Sequence, residues 1–548
     1  MAKDKSLQVE FIGRANKVIG DNSLRDYLSQ KEETSRSPAS KKAEELIAFK
    51  KPINKIPNVL LIGSCITIPK YMQKRCIPPL GLCYLAGTLE KENIPVKIFD
   101  LCVEGWDYER IENNLVTYGL PPDNEKLRKI LEEGRFDIVG LSVLFSTDLI
   151  NVLETARFVK KMFPNITVVI GGLHATIYPQ DIIELDKNQN QNQRTIDFII
   201  RGEGEFRFID FVRNFGDGYF NLNADGLVGY HKKNLFINPQ VATIEDLDEI
   251  PFPAFHLLPI EKYFKINIPF SPVPQGDRVM PMLTTRGCPV ACSFCANTNV
   301  WRRHRQRSPE NVVAEIQHLK DKFSIDEIQF ADDNLTFDMK SSVERFKQIK
   351  PLNIIWCTPN GTMINKLSPE LIQVMSDSGM YQITLSIDSA NTRTLKELHH
   401  KPVNLLSVPG LIAKSRELGV FTHGTLVVGM PSETIEEIED GFQYVKDHLA
   451  FTSVSTFIAS AIPGSELYQE MLDQGKITKE QARNIDTTKV SIVQTDINLD
   501  TLESVVEKFQ SDFLRVMKKR DPDEYNRKYN KLINSGRWDQ DQVGGKLT

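Results

Sequence analysis

Two long stretches of the chain alternate short apolar runs with helical patterns of polar and apolar positions. In the first stretch the runs are continuous, which is typical of strands that are buried on both faces of a parallel sheet. These runs lie at residues 58–63, 96–99, 137–143, 167–170 and 198–200. Because helical patterns separate them, residues 57–215 are predicted to form an α/β domain built on a doubly wound parallel sheet.

The second stretch, residues 277–478, repeats this alternation. Its apolar runs lie at residues 279–283, 327–331, 354–357, 383–387, 425–428 and 454–462. Strands that are each followed by a helix predict a (β/α)6 partial barrel, a shortened relative of the eight-stranded barrel. The functional site of such a barrel is expected at the carboxyl ends of its strands.

Three flanking segments lack this alternation. Residues 1–56 are rich in Lys, Glu, Ser and Asn, and they are predicted to form a flexible N-terminal extension. Residues 216–276 contain scattered strand patterns and a Pro-rich stretch, which predicts a linker with a small hairpin. Residues 479–548 are mainly helical in pattern and polar, and they are predicted to form a C-terminal extension.

Composition narrows the class of protein. The 548-residue chain has a formal net charge of -5, so neither nucleic acid nor an anionic membrane is expected as a partner. No apolar run reaches the length of a membrane span, about 18 residues, and the first residues do not resemble a signal peptide. Eight cysteines are too few for a disulfide scaffold in a chain of this length. A cytoplasmic protein is therefore expected.

Three cysteines lie close together after the first apolar run of the predicted barrel. Cys288, Cys292 and Cys295 have the spacing C-x3-C-x2-C. Thiolates at this spacing can surround one soft metal centre, and three of them leave a coordination position open for chemistry. The alternative is a structural zinc knuckle that is completed by His304. The spacing therefore predicts a metal centre in this loop.

This spacing, with the aromatic Phe294 directly before the third cysteine, resembles the radical S-adenosylmethionine (SAM) superfamily. The resemblance implies that Cys288, Cys292 and Cys295 hold a 4Fe-4S cluster whose fourth iron is bound by SAM. It also implies that residues at the ends of the predicted strands contact SAM, and a carboxylate there is suited to the SAM ammonium group. The implied SAM contacts are Phe294, Asp332, Asp333, Ser386 and Asp388.

Small and polar residues follow three of the strands that are predicted in the first domain. They are Ser142, Ser146, Thr147, Gly171, Gly172, His174, Thr176, Gly202, Glu203 and Gly204. In doubly wound sheets, ligands bind beyond the carboxyl ends of the strands, and glycine lets the backbone approach a bulky ligand closely. Each of these loops, taken alone, is also consistent with an ordinary turn.

Together with three longer strings, these loops resemble the cobalamin-binding domain that precedes the core of many radical SAM enzymes. The strings are PPLGLCYLA at 78–86, GGLHAT at 171–176 and RGEGE at 201–205. The resemblance implies a Rossmann-like domain that binds cobalamin through the residues above. The Asp-x-His-x-x-Gly motif of other cobalamin proteins is absent around His174. This histidine is therefore expected to contact the nucleotide tail of the cofactor rather than cobalt, the alternative being a structural role.

A resemblance to cobalamin-dependent radical SAM enzymes implies a methyltransferase. In that class, SAM cleavage yields a radical that takes a hydrogen atom from the substrate. Methylcobalamin then gives a methyl group to an unactivated carbon, or occasionally to phosphorus. The implied partners are a small-molecule or peptide substrate and an electron donor such as flavodoxin or ferredoxin.

Three alternatives share parts of this pattern. The first is a cobalamin-dependent cyclase or ring-rearranging enzyme without net methyl transfer. The second is a methylthiotransferase, which carries a second cluster for which Cys65, Cys76, Cys83 and Cys102 are the candidate ligands. The third is a non-enzymatic module that binds cobalamin or zinc.

Overall fold

The computed structural model describes residues 46–48, 56–70, 73–112, 115–189, 194–231, 234–240, 242–271, 273–479, 481 and 497–534. The N-terminal extension lies mostly outside these residues. Its described part includes the strand Leu46–Ala48, which pairs with Tyr219–Asn221. The large first sheet consists of β1 (Val59–Gly63), β2 (Val96–Asp100), β3 (Ile138–Ser142), β4 (Thr167–Gly171), β5 (Phe198–Ile200), β6 (Leu227–His231) and β7 (Asn234–Ile237).

The first sheet has the strand order β2-β1-β3-β4-β5-β6-β7. Strands β1 to β5 are parallel, so the prediction of a doubly wound parallel sheet is confirmed. After β2 is added on one side of β1, the following strands are added on the other side, beginning with β3. The crevice between β1 and β3 is the place where such sheets bind ligands. The hairpin expected within the linker instead extends this sheet, because β6 pairs antiparallel with β5 and buries Leu227 and Val228.

Helices cover both faces of the first sheet. They are α1 (Leu80–Lys91), α2 (Leu101–Glu104), α3 (Glu125–Gly134), α4 (Leu149–Met162), α5 (Leu173–Ile177), α6 (Pro179–Gln189), α7 (Gly204–Gly216) and α8 (Ile260–Ile266). Alternate side chains of β1 point to opposite faces of the sheet. Val59 and Leu61 share a core with α1 and α7, whereas Leu60 and Ile62 share one with α3 and α4.

A second parallel sheet follows in chain order: β8 (Val279–Met282), β9 (Glu327–Phe330), β10 (Ile355–Cys357), β11 (Met380–Asp388), β12 (Phe421–Val428) and β13 (Ser453–Ile458). Its helices are α9 (Pro309–Phe323), α10 (Met339–Ile349), α11 (Pro369–Asp377), α12 (Val408–Glu417), α13 (Ile435–His448) and α14 (Glu466–Asp473). The prediction of a six-stranded partial barrel is therefore confirmed. Ser308 caps α9 through its hydroxyl and Pro309 begins the helix, a position where proline is favoured.

Two helices complete the described C-terminal region, α15 (Leu499–Arg520) and α16 (Pro522–Asn534). Phe509 of α15 stacks on Phe442 of α13, with ring centroids 4.0 Å apart. At the start of β13, the Lys528 ammonium group of α16 donates to Ser453 Oγ at 2.6 Å. This extension therefore packs along the edge strand of the barrel and at its amino-terminal end. Among the described residues, none of the helices is long and apolar enough to span a membrane.

Candidate functional site

The loop that carries the three cysteines is closed at its base by a short ribbon. Thr285–Arg286, just after β8, pairs antiparallel with Arg305–Gln306. Within the loop, the Cys288 amide donates to Trp301 O at 3.0 Å. Gly287 has a φ of +87°, and a Cβ added there would lie 2.3 Å from Arg303 O. This turn therefore requires glycine, and it directs Cys288 into the loop.

The three loop cysteines differ from the other five cysteines in exposure. Cys288, Cys292 and Cys295 are half-buried, whereas the remaining cysteines are buried, and all eight are free thiols. Burial raises the pKa of the Cys288 and Cys292 thiols, so their thiolates need a nearby positive charge. A bound metal centre supplies such a charge, because ligating thiols are deprotonated.

The described side chains do not include three His, Cys, Asp or Glu groups that converge on a single metal ion. In a four-iron cluster each of three cysteines binds a different iron, so the three sulfurs need not meet at one ion. His304, the fourth ligand in the zinc alternative, has other contacts. His304 Nε2 lies 3.1 Å from the Asn334 carbonyl oxygen, and its ring packs on Phe337.

Asp332, which the sequence predicts as a SAM contact, braces the start of the cysteine loop. Its Oδ1 accepts from the hydroxyls of Thr284 and Thr285 at 2.8 and 2.7 Å, and from both of their backbone amides. The residue is 2% exposed. Within the described structure, Asp332 Oδ2 is buried without a hydrogen-bond partner. The residue therefore has one oxygen that fixes the loop and one that is left for another donor.

The next two residues lie beside the cysteines. Asp333 is half-buried and accepts a hydrogen bond from Asn297 Nδ2 at 2.8 Å, and burial together with Asp332 raises its pKa. Asn334 Nδ2 lies 3.7 Å from Cys288 Sγ. Asn334 Oδ1 is buried and, among the described residues, has no hydrogen-bond partner. These unsatisfied acceptors beside the cysteines fit the ammonium group of SAM.

Near the end of β11, Ser386 and Asp388 are two residues apart and therefore face the same side of the strand, and the register with β12 shifts between them. Thr425 of β12 donates to Ser386 Oγ and to Asp388 Oδ1, both at 3.2 Å. Asp388 has a φ of +57°, an uncommon backbone conformation for an aspartate. Ser386 and Asp388 therefore do come together. The backbone conformation of Asp388 is one that a residue rarely adopts without a functional or packing reason.

Lys401 lies beside Ser386 and Asp388, and the sequence did not predict it as a site residue. Its ammonium group donates to Asp388 Oδ2, and the side chain is 12% exposed. Burial opposes the charge, but Asp388 and the cysteine sulfurs raise the pKa of Lys401 overall. Lys401 follows an irregular segment that contains a π-helix, Thr394–Leu398, so no periodic pattern pointed to it.

Phe294 is held by the same irregular segment. Its ring meets His399 edge to face, with centroids 5.2 Å apart. The neighbouring Ser293 amide donates to the His399 carbonyl oxygen at 3.1 Å. His399 is fully buried, and burial lowers the pKa of its ring to about 4. A neutral, apolar wall therefore backs the cysteine loop at Phe294.

In the first domain, the loops after β3, β4 and β5 form one continuous surface. The Val143 amide donates to Gly171 O at 2.9 Å, and Thr176 Oγ1 accepts from the Gly202 amide at 2.8 Å. Thr176 also donates to Gly172 O at 2.8 Å, so its hydroxyl joins two loops. These contacts bring together Gly171, Gly172, Thr176 and Gly202, four of the residues that the sequence predicts for cobalamin.

His174 is buried within this surface rather than exposed on it. Its Nδ1 lies 2.9 Å from Ser146 Oγ, and its Nε2 lies 3.9 Å from Asp181 Oδ2. The side chain is 3% exposed. These contacts favour the structural role that was the alternative for His174.

Two features of the surface fit a large planar cofactor. A Cβ on Gly171 would meet only Ile200 O, at 3.5 Å, so the backbone there is open to a close approach. Beside it, Leu144 and Phe145 are 52% and 60% exposed. Exposed apolar side chains in a loop at the carboxyl end of the sheet fit the apolar face of a corrin ring.

Glu203 connects the two domains and does not point into this surface. Its Oε1 lies 3.1 Å from Arg286 Nη1, and its Oε2 lies 2.7 Å from Arg305 Nη1. The Ile244 amide also donates to Oε2, and the carboxylate is 2% exposed. Both oxygens of Glu203, which the resemblance implies as a cobalamin contact, are therefore engaged by the ribbon under the cysteine loop.

The loop after β13 touches the loops of both predicted cofactor sites. A Cβ on Gly464 would lie 3.0 Å from Ile177 Cδ1 and 3.5 Å from Ala296 Cβ. Ile177 ends the helix after the Gly171-Gly172 turn, and Ala296 follows Cys295. The Tyr178 and Tyr468 rings pack edge to face nearby, with centroids 5.7 Å apart. The two predicted cofactor surfaces are therefore neighbours.

Comparison with known proteins agrees with this architecture. Residues 73–211 match the B12 binding domain, and residues 282–445 match the Radical SAM superfamily. Cytidylyl-2-hydroxyethylphosphonate methyltransferase of Streptomyces wedmorensis is 34% identical over 83% of this chain and 89% of its own length. An anaerobic magnesium-protoporphyrin IX monomethyl ester cyclase of Rubrivivax gelatinosus is 26% identical over 73% of this chain and 67% of its own.

A solved structure shares the fold. The radical S-adenosylmethionine methyltransferase TsrM of Kitasatospora setae, with cobalamin and a 4Fe-4S cluster bound, superposes with a TM-score of 0.59 at 17% identity. The match covers 77% of this chain and 78% of that one. The chain belongs to the cobalamin-dependent radical SAM enzymes, and methyl transfer is better supported for it than cyclisation. Its cofactors are a 4Fe-4S cluster, SAM and cobalamin.

Proposed function

We propose that Cys288, Cys292 and Cys295 hold the cluster and that the enzyme methylates a small-molecule substrate between the two domains. The observation that carries the proposal is Gly464, whose loop touches both the segment after Cys295 and the helix after Gly172. When bound, SAM and the cluster supply a radical that removes a hydrogen atom, and methylcobalamin supplies the methyl group. The task of the chain is to hold these groups close together and away from water.

The SAM site is proposed to lie at the ends of β8, β9 and β11. Asp333 and the free oxygens of Asp332 and Asn334 are suited to the ammonium group, since each is an acceptor beside the cysteine loop. Ser386 and Asp388 are proposed to bind the ribose hydroxyls, with Lys401 and Thr425 fixing Asp388. Phe294 is proposed to form the apolar side of the site, supported by its contact with His399.

The cobalamin site is proposed to lie on the joined loops after β3, β4 and β5. Ser142, Thr147, Gly171, Gly172, Gly202 and Gly204 are proposed to contact the cofactor directly. Ser146, His174 and Thr176 are proposed to shape the surface from below, because their polar groups bond to one another and to loop backbone. Glu203 is proposed to position the cysteine ribbon instead.

The two sheets support a proposal for the domain limits. We propose that the cobalamin-binding unit runs from residue 57 to about residue 240, since β6 and β7 complete its sheet. The radical SAM unit is proposed to span residues 277–478, followed by a C-terminal extension at 479–548 whose described part includes α15 and α16. The segment between them includes α8, whose Tyr263 hydroxyl donates to the buried Asp100 carboxylate at the end of β2.

The substrate is proposed to be a small molecule that is methylated at an unactivated carbon or at phosphorus. The name of the Streptomyces relative makes a cytidylylated hydroxyalkylphosphonate the first compound to test. An electron donor such as flavodoxin or ferredoxin is proposed for cluster reduction. A cytoplasmic location is also proposed, and it is supported by eight cysteines that form no disulfide.

Anaerobic reconstitution tests this proposal. The enzyme is expected to bind four irons and four sulfides, and C288A, C292A and C295A are each expected to lose the cluster and SAM cleavage. A C357A control changes a cysteine that is buried in β10, and it should retain both. SAM cleavage that survives in the loop variants would reject the proposed ligands.

Labelled SAM separates the remaining alternatives. With methyl-labelled SAM and the phosphonate above, label is expected in the product, whereas a cyclase would release unlabelled product. A methylthiotransferase would bind a second cluster. This is opposed by Cys65, Cys76, Cys83 and Cys102, which are at most 3% exposed in the core of the first domain.

A further inference from the structure

Asn334 places an amide donor on one of the three loop cysteines. Its Nδ2 lies 3.7 Å from Cys288 Sγ, which is a hydrogen-bond distance for a sulfur acceptor. The side chain is 2% exposed, so water does not compete for this contact. The backbone N–H of Val290 is a second donor to the same sulfur. Cys288 is therefore a thiol with two protein donors.

The position of Asn334 is fixed independently of the sulfur. Its main-chain carbonyl oxygen lies 3.1 Å from His304 Nε2 and 3.4 Å from Thr285 Oγ1. The side-chain nitrogen of Asn334, Nδ2, also lies 3.8 Å from Met363 Sδ, in the loop after β10. Both sulfurs are soft acceptors, but only Cys288 becomes a thiolate, and charged acceptors form the stronger hydrogen bonds. The donor is therefore held ready for Cys288.

We propose that Asn334 is a positioning residue that sets the reduction potential of the cluster through its hydrogen bond to Cys288. This rests on the proposed function, in which Cys288 binds iron. A hydrogen bond withdraws electron density from a ligating sulfur and stabilises the reduced, more negative cluster. The amide therefore raises the potential and eases electron entry. The effect of Asn334 on the potential is separable from any effect of SAM, because the hydrogen bond to Cys288 is present before SAM binds.

The test is an anaerobic potential titration of the full-length enzyme without SAM, followed by electron paramagnetic resonance of the reduced cluster. Asn334→Leu keeps the size of the side chain and removes the donor without adding charge. At a fixed ambient potential, its ratio of reduced to oxidised cluster is expected to fall about three- to tenfold. A tenfold fall corresponds to about 59 mV for a one-electron couple. An exchangeable proton coupled to the reduced cluster should also disappear.

Asn360→Leu is the matched control. Asn360 lies on the following loop, and its Nδ2 donates to the carbonyl oxygens of Ala331 and Asp332 at 2.8 and 3.3 Å rather than to sulfur. Its potential should equal that of the unmodified enzyme. If Asn334→Leu loads less iron, Asn334→Ala gives the same readout on the clusters that form.

Two results have different meanings. A variant with full iron content and an unchanged potential overturns the role of Asn334 and leaves the cluster ligands intact. A C288A variant that keeps its cluster overturns the proposed ligand set itself, and the role of Asn334 with it.

Discussion

Arg286 and Glu203 form an ion pair across the two domains, with Nη1 and Oε1 3.1 Å apart and side chains 16% and 2% exposed. Arg286 lies two residues before Cys288, and Glu203 lies in the RGEGE segment of the first domain. Arg305 binds the other oxygen of the same carboxylate. The cysteine loop is therefore anchored on the cobalamin-binding domain by charge.

Glu203→Gln should destabilise the enzyme by about 3–5 kcal/mol, because it leaves the buried Arg305 without its counter-charge and Arg286 with Glu205 as its remaining carboxylate partner. Chemical unfolding measures this loss. Glu245→Gln is the control, since Glu245 pairs with Arg303 where both side chains are more than half exposed. That change should cost about 0–1 kcal/mol. Equal losses in the two variants would show that the buried pair has no special weight.

The Glu203 carboxylate should also make the enzyme sensitive to acid. Burial opposes the charge, but Arg305 and Arg286 hold its pKa below the usual range. A lowered folded pKa contributes stability that is complete above the ordinary glutamate pKa of about 4.3 and is lost as pH falls further. Melting temperatures between pH 6 and pH 3 should therefore fall more steeply for the unmodified enzyme than for Glu203→Gln.

Asp148, in the loop after β3, should give the opposite pH dependence. Burial raises the pKa of Asp148 to about 7. The neutral form is then favoured in the folded state, so this stabilising contribution is complete below about pH 3.9 and is lost as pH rises to 7. Asp148→Asn should be more stable than the unmodified enzyme at pH 7.5, by about 1–4 kcal/mol. Asp217→Asn, at an exposed position, should show no such gain.

Gly287→Ala should distort the cysteine loop. An added Cβ would lie 2.3 Å from Arg303 O and 2.8 Å from Trp301 O, and the φ of +87° is unfavourable for alanine. A loss of about 1–3 kcal/mol and a reduced iron content are expected. Gly410→Ala in α12 meets nothing within 4 Å and should instead be neutral or slightly stabilising. Full iron loading in Gly287→Ala would contradict the tight turn.

Lys401→Met should weaken SAM binding about tenfold, since it removes the charged hydrogen bond that fixes Asp388. Equilibrium dialysis with SAM on the reconstituted enzyme measures this change. Lys396→Met, at an exposed position five residues earlier, is the control. Unchanged affinity in Lys401→Met would remove Asp388 from the proposed ribose contacts.

Much of the fold could be predicted because the apolar runs are local signals. Every residue of β1 is buried, so its continuous run Val59–Gly63 was readable as a strand covered on both faces. The hairpin of β6 and β7 was placed in a linker, because its membership in the first sheet depends on pairing with β5. That pairing is a choice between distant segments, which hydrophobic periodicity does not encode.

The candidate site shows the same limit. The three cysteines are close together along the chain, so the sequence alone is enough to predict a metal centre in their loop. The partner of Glu203 is 83 residues away at Arg286, and Lys401 meets Asp388 through an irregular segment. A carboxylate in a motif can bind a ligand or brace a loop, and only the folded neighbours decide between them. In Asp332, Oδ1 braces the loop, and Oδ2 is the oxygen that we propose for SAM.

The anchoring of the cysteine ribbon also has a consequence for assembly. Glu203 leaves the ribosome before Arg286 and Arg305, so the first sheet can already be folded when the cysteine loop is synthesised. The carboxylate is then a preformed docking point, and the ribbon closes on it. We therefore expect the folded first domain to hold the base of the cysteine loop before iron and sulfide bind.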